Sequence, residues 1–148
     1  MPGAALAARP DASESVPMKK WLRGLLGQQG ERRAASFLAK NGVKILARGV
    51  SNQFGEIDLV GLDGETIVFV EVRTRRSLDA GHPAESVTPE KQARLTRAAL
   101  AFLKQNRLLD RRSRFDVVAI LWPQGAKSPQ IEHYRNAFEA AGLGHFYS

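Results

Sequence analysis

The stretch Gly55-Glu56-Ile57-Asp58-Leu59-Val60-Gly61-Leu62-Asp63-Gly64-Glu65-Thr66-Ile67-Val68-Phe69-Val70-Glu71-Val72-Arg73 decides the fold. It reads as two strands, Phe54–Gly61 and Thr66–Arg73, with Asp63-Gly64 as a two-residue hairpin turn. With that turn, cross-strand partners have numbers summing to about 127. Asp58 then faces Phe69, Glu56 faces Glu71, and Asp58 and Glu71 are diagonal neighbours about 7–8 Å apart. Alternation sends Ile57, Leu59, Val68, Val70 and Val72 to one face. Glu56, Asp58, Glu71 and Arg73 go to the other, with Val60, Ile67 and Phe69. Like charges facing each other destabilise a hairpin. Three acids and one cation on one strand pair therefore suggest a site that holds a divalent cation through oxygens.

Outward from the hairpin, Gln28 to Lys40 has helical periodicity and ends on Asn41-Gly42. Glu31 lies on its apolar stripe with Ala34, Ala35 and Leu38. Val43–Val50 reads as a strand, and Thr74 to Val87 as a polar loop. Thr88 is the expected N-cap of a second helix, with Pro89 in its first turn and an end near Asn106. Phe115 to Trp122 is a continuous apolar run, as in a strand covered on both faces. Ile131–Tyr134 suggests a short edge strand and Asn136–Ala141 a short terminal helix. Residues 1–27 read as a disordered or weakly ordered tail, and 28–148 as a single domain. Met18, before Lys19-Lys20-Trp21, is a second plausible translation start. The expected class is α/β, with a mixed sheet flanked by helices.

The chain has 148 residues, 22 Lys+Arg against 15 Asp+Glu, and a formal charge of +7. Gly49 to Val72 holds five acids and no Lys or Arg, whereas Arg73 to Arg114 holds eleven bases and four acids. That second segment accounts for the whole excess. It points to a polyanionic partner. There is no cysteine, which excludes disulfides, thiolate catalysis and cysteine-bound zinc, and fits a cytoplasmic setting. No apolar run is long enough for a transmembrane helix, so no membrane role is expected. The three histidines lie in separate segments without ligand spacing.

Gly55-Glu56-Ile57-Asp58 followed by Val70-Glu71-Val72-Arg73 resembles the PD-(D/E)xK nuclease core. A wider set adds Gly30-Glu31, Asn52-x-x-Gly55, Thr88-Pro89-x-Lys91-Gln92 and Arg114-Phe115-Asp116-Val117-Val118. Together these resemble the YraN-like family of predicted endonucleases, regarded as similar to archaeal Holliday-junction resolvases. The resemblance spans about Gln28 to Trp122. It implies a restriction-endonuclease-like αβββαβ core and a Mg²⁺ or Mn²⁺ ion held by Asp58, Glu71 and Glu31. It also implies catalytic roles for Glu31, Asp58, Glu71 and Arg73, and a homodimer. Gln92, toward the buried side of the second helix, is a further candidate within reach of the site. Arg73 stands where the general signature has lysine. An arginine cannot give up its proton, so it can stabilise charge but not act as a base.

On the second helix, Lys91, Arg94, Arg97 and Lys104 share a sector of about 140°. With Arg75 and Arg76 they form the expected nucleic-acid surface. Few aromatics lie among them, so backbone contacts are expected over base stacking, and DNA is expected over RNA. The activity expected is metal-dependent hydrolysis of phosphodiester bonds in structured (branched or single-stranded) DNA. The alternative, motivated by Arg73, is a non-catalytic nucleic-acid-binding module with the same fold.

Overall fold

Helix α1 spans Lys20–Lys40 in a computed structural model that describes residues 20–79 and 81–140. It begins eight residues before the periodicity suggested, so 20–27 is helical rather than tail; residues 1–19 lie outside the described part. Gly24 and Gly27 weaken the local helical signal, while Leu26 continues the buried stripe of Ala34 and Leu38. The helix ends in a Schellman motif, as Asn41-Gly42 foretells. Gly42 has φ +93, the Val43 N–H donates to the Leu38 carbonyl at 2.9 Å, and the Gly42 N–H to that of Ala39 at 3.2 Å.

Strands β1 (Lys44–Asn52), β2 (Gly55–Asp63) and β3 (Thr66–Arg75) follow. A 3-10 turn at Pro83–Ser86 precedes α2 (Pro89–Gln105), and β4 (Ser113–Leu121) and β5 (Gln130–Phe138) complete the described elements. The strands form one sheet in the order β1-β2-β3-β4-β5. Only β3 and β4 run parallel, joined by the α2 crossover; the other pairs are antiparallel. This is a mixed α/β fold with a restriction-endonuclease-like αβββαβ core. The central strands are apolar on both faces because both are covered. Ala34, Ala35 and Leu38 of α1 pack on Leu59, Val68, Val70, Val118 and Ile120. Leu95, Ala98, Ala99 and Leu103 of α2 pack on Val60, Ile67, Phe69, Phe115 and Val117.

The hairpin turn differs from expectation. Asp63 pairs with Thr66 and Leu59 with Val70, so Gly64-Glu65 is the turn, not Asp63-Gly64. Gly64 takes φ +63 at the first central position, where a type II′ turn wants glycine. The slip is two residues, which preserves faces because side chains alternate with period two. A second difference concerns Ile57, which packs with Val60 and the α2 layer rather than with Leu59. Strict alternation therefore fails around Asp58. There the β2–β3 pairing has stopped, and the Asp58 carboxylate takes the Val72 N–H at 2.8 Å in place of a backbone carbonyl.

The short helix expected at Asn136–Ala141 does not form over its described residues. Asn136 to Phe138 belong to β5. A register shift between Phe115 and Val117 accommodates Asn136 at φ +51. Its N–H donates to Asp116 at 2.8 Å, and Phe138 stacks on Phe115 with centroids 4.9 Å apart. Among the described residues, no helix is long and apolar enough to cross a membrane.

Candidate metal centre and nucleic-acid cleft

Three elements converge on one carboxylate cluster. Asp58 comes from the end of the β2 pairing, Glu71 from β3, and Glu31 from α1. What brings α1 so close is Gly30. A Cβ there would lie 2.1 Å from the Thr74 Oγ1, so only glycine lets the helix touch β3 at this point. The β1–β2 hairpin is fixed from the other side. The Asn52 amide donates to the Ala98 carbonyl of α2 at 3.1 Å, and its Oδ1 accepts the Phe54 N–H. Gly55 completes the turn at φ +147. The glycines and Asn52 of the sequence motifs are thus the scaffold, and the acids are its payload.

The cluster lacks positive charge at its centre. The carboxyl of Asp58 is pushed up to about 8, first by burial and then by Glu71, Glu31 and Glu56, against the opposing Val72 N–H. Glu31 is raised by burial and by Glu56, and a hydrogen bond from Asp58 only partly offsets this. Burial and three neighbouring acids thus make the Asp58 carboxylate harder to ionise than an ordinary aspartate. Glu71 is the exception. Its Oε2 lies 3.2 Å from Arg73 Nη1 and 3.5 Å from Lys91 Nζ. Among the described residues no group of three or more acids or histidines is spaced to hold a metal ion as it stands. The donors available are all carboxylate oxygens, which suit a hard ion such as Mg²⁺ or Mn²⁺.

Around the cluster opens a cleft of about 700 Å³. Glu31, Glu56, Asp58 and Glu71 are acids of its wall, and Arg73, Arg75, Arg76, Lys91 and Arg94 its bases. The guanidiniums are pre-set. Ser86 Oγ accepts from Arg73 Nε at 2.9 Å and from Arg75 Nη2 at 3.3 Å, and Arg76 donates to the Trp122 carbonyl at 3.2 Å. Arg75 is pulled below its ordinary value by burial and by Arg73 beside it. An anion in the cleft would relieve that crowding.

The expected nucleic-acid residues divide. Arg75, Arg76, Lys91 and Arg94 line the cleft, whereas Arg97 and Lys104, further along α2, are not part of its wall. Gln92 is turned away, its amide donating to the Val87 carbonyl at 3.0 Å. Lys91 was expected to hold backbone phosphate and instead reaches into the acidic cluster. Ser86 escaped notice because a serine in a polar loop carries no periodic signal. Its loop is tethered at the far side, where His82 Nε2 lies 2.7 Å from the Tyr134 hydroxyl and 3.2 Å from Glu132 of β5.

Residues 30–120 match the model of the uncharacterised protein family UPF0102. The chain belongs to that family. A UPF0102 protein of Rhodopirellula baltica is 47% identical over 125 residues, which is 82% of this chain and 75% of that one. One from Geotalea uraniireducens is 48% identical over 116 residues, 78% of this chain and 91% of the relative. One from Rhodococcus opacus is 46% identical over 113 residues, 76% and 95% of the two chains. The matched span begins at Gly30 and ends at Ile120, and so contains the whole carboxylate cluster and both helix-to-sheet contacts that build it.

Proposed function

We propose that this UPF0102 protein is a metal-dependent endonuclease acting on structured DNA. The observation that carries the reading is the geometry of the cleft: Glu31, Asp58 and Glu71 gathered in its wall beside arginines held in place by Ser86 and the Trp122 carbonyl before any ligand arrives. Asp58 and Glu71, with Glu31 beside them, would hold Mg²⁺ or Mn²⁺. Such an ion, when bound, polarises the scissile phosphate and makes a bound water more acidic. The protein's own residues do the rest. Glu71 and Ser86 hold the Arg73 guanidinium so that it can meet the charge that grows on phosphorus, without a reorganisation cost at that moment. Arg75, Arg76 and Arg94 take the flanking phosphates. Phosphate contacts position a nucleic acid without reading its sequence, which favours selection by shape.

The test is cleavage of branched and single-stranded DNA with Mg²⁺ or Mn²⁺. Cleavage that Asp58→Ala and Glu71→Ala both abolish supports the reading, and cleavage unchanged in both refutes it. Arg73 in the place of the signature lysine favours one second reading, a nucleic-acid-binding module that does not cut. That reading expects DNA binding with no cleavage under either metal.

A further inference from the structure

Lys91 occupies a position that helix chemistry disfavours. Thr88 is the N-cap of α2, its Oγ1 accepting the Lys91 N–H at 3.2 Å, so Lys91 sits at the third helical residue. The helix dipole is positive there, and a glutamate would be the stabilising choice, in a capping box. A cation in the first turn opposes the dipole. Local rules of this kind are commonly broken at functional sites, with the cost met elsewhere in the fold. Here the stem crosses from α2 to the sheet, and the ammonium lies 3.5 Å from Glu71 Oε2. Glu71 is almost fully buried, while the lysine side chain stays 31% exposed toward the cleft.

Arg73 offers the contrast. Its Nη1 is given to Glu71 and its Nε to Ser86. A planar guanidinium held at two points is fixed to meet charge on the phosphate, but is not free to orient an attacking water. An ammonium has three donors on a flexible stem, of which one direction meets Glu71.

We infer that Lys91 is the catalytic lysine of this site, supplied by helix α2 because the strand position carries Arg73. It reaches the same carboxylate from the opposite side. Its ammonium donates hydrogen bonds to the attacking water and to a non-bridging phosphate oxygen, orienting the first and offsetting charge on the second. The inference rests on the nuclease reading and deepens it by naming the group that faces the reacting phosphate.

The experiment compares wild type with Lys91→Met, which keeps the apolar stem, in single-turnover cleavage of branched DNA with Mn²⁺. The expected result is a rate lower by about 100-fold or more, with DNA affinity and its salt dependence nearly unchanged. A lysine that merely held backbone phosphate would do the reverse, weakening binding and reducing the salt slope by about one. Calorimetric Mn²⁺ binding without DNA gives a readout independent of cleavage. Removing a neighbouring cation should leave affinity equal or higher, and a clear loss would make Lys91 a support for the ligands instead. In the double variant Lys91→Met with Arg73→Lys, partial recovery of the rate is expected, because a lysine is again in reach of Glu71. A wild-type rate in Lys91→Met overturns the inference alone. A wild-type protein that cuts no DNA with either metal overturns the nuclease reading and the inference together.

Discussion

Two aspartates of one sheet, on strands separated by β3, are both drawn back from water, and they are treated in opposite ways. Asp116, on β4, is fully buried. It accepts from Arg114 Nε at 2.9 Å and from the Asn136 N–H at 2.8 Å, and lies 2.7 Å from His133 Nε2. These partners hold its carboxyl below the usual range despite the cost of burial. Arg114 continues the network to Asp63 at 2.8 Å, and Arg135 meets the same carboxylate at 2.8 Å. Asp58, on β2, receives one N–H and three neighbouring acids, and is pushed up. Burial is common to both, so burial alone marks neither as functional. The distinction lies in whether the fold supplies counter-charge. Where it does, the group is part of the architecture; where it withholds it, the carboxylate is left for the proposed metal to meet.

The comparison can be broken most sharply by substitution. Asp116→Ala should destabilise the protein by about 3 kcal/mol in urea unfolding, because it takes the carboxylate from the buried His133 side chain and leaves Arg114 with Asp63 alone. Asp58→Asn should leave the metal-free protein as stable at neutral pH or more so. Equal losses at the two sites would erase the distinction. Next in size is metal binding. Saturating Mn²⁺, at about 100 times its dissociation constant, should add about 2.7 kcal/mol of stability to wild type. It should add nothing to Asp58→Asn.

Acidity sharpens the same contrast with opposite signs. The raised Asp58 means that the folded state binds its proton more tightly than the unfolded chain does. Metal-free stability from this group is present in acid and is lost as pH rises from about 4 toward 8. The lowered Asp116 works the other way, contributing above the ordinary carboxylate range and failing as pH falls through its own folded value. Thermal melts with and without Asp58→Asn should therefore diverge between pH 4 and pH 8 and converge in acid.

A smaller effect is expected at the helix contact. Gly30→Ala should cost about 1–3 kcal/mol by overpacking against Thr74, and Thr74→Ala should recover part of it, since the nearest atom is Oγ1. The smallest effect belongs to the cleft wall. Arg94→Ala should reduce the log–log salt slope of DNA binding by about one, with Lys104→Ala as the weaker control.

Much of this was legible before folding. The strand and helix order, the Asn41-Gly42 stop and the Thr88 cap follow from local chemistry with period and cap signals. The face of Glu71 survives a misplaced turn, because a slip of two residues returns each side chain of β3 to its own side. A slip of one would have turned it away. The reading of Ile57 failed where pairing ends and a carboxylate replaces a carbonyl, a substitution that alternation cannot anticipate. The reading of Asn136–Ala141 failed because the partner that draws Asn136 into β5 is Asp116, twenty residues away. Lys91 was seen as one member of a basic stripe. Its own clue, a cation facing the wrong end of the helix dipole, lay in the cap and not in the stripe.

The loop between β3 and α2 is fastened at both margins of the sheet's working half. At one end Ser86 grips two of the cleft's arginines, Arg73 and Arg75; at the other His82 meets Tyr134 and Glu132 on the outermost strand. Strand β5 contributes nothing to the cleft wall, yet it holds the far end of this strut. Damage to that outer edge would thus be transmitted inward as a loosening of guanidinium aim. Its signature would be slower chemistry on correctly bound DNA, from a lesion that touches neither the DNA nor the acids.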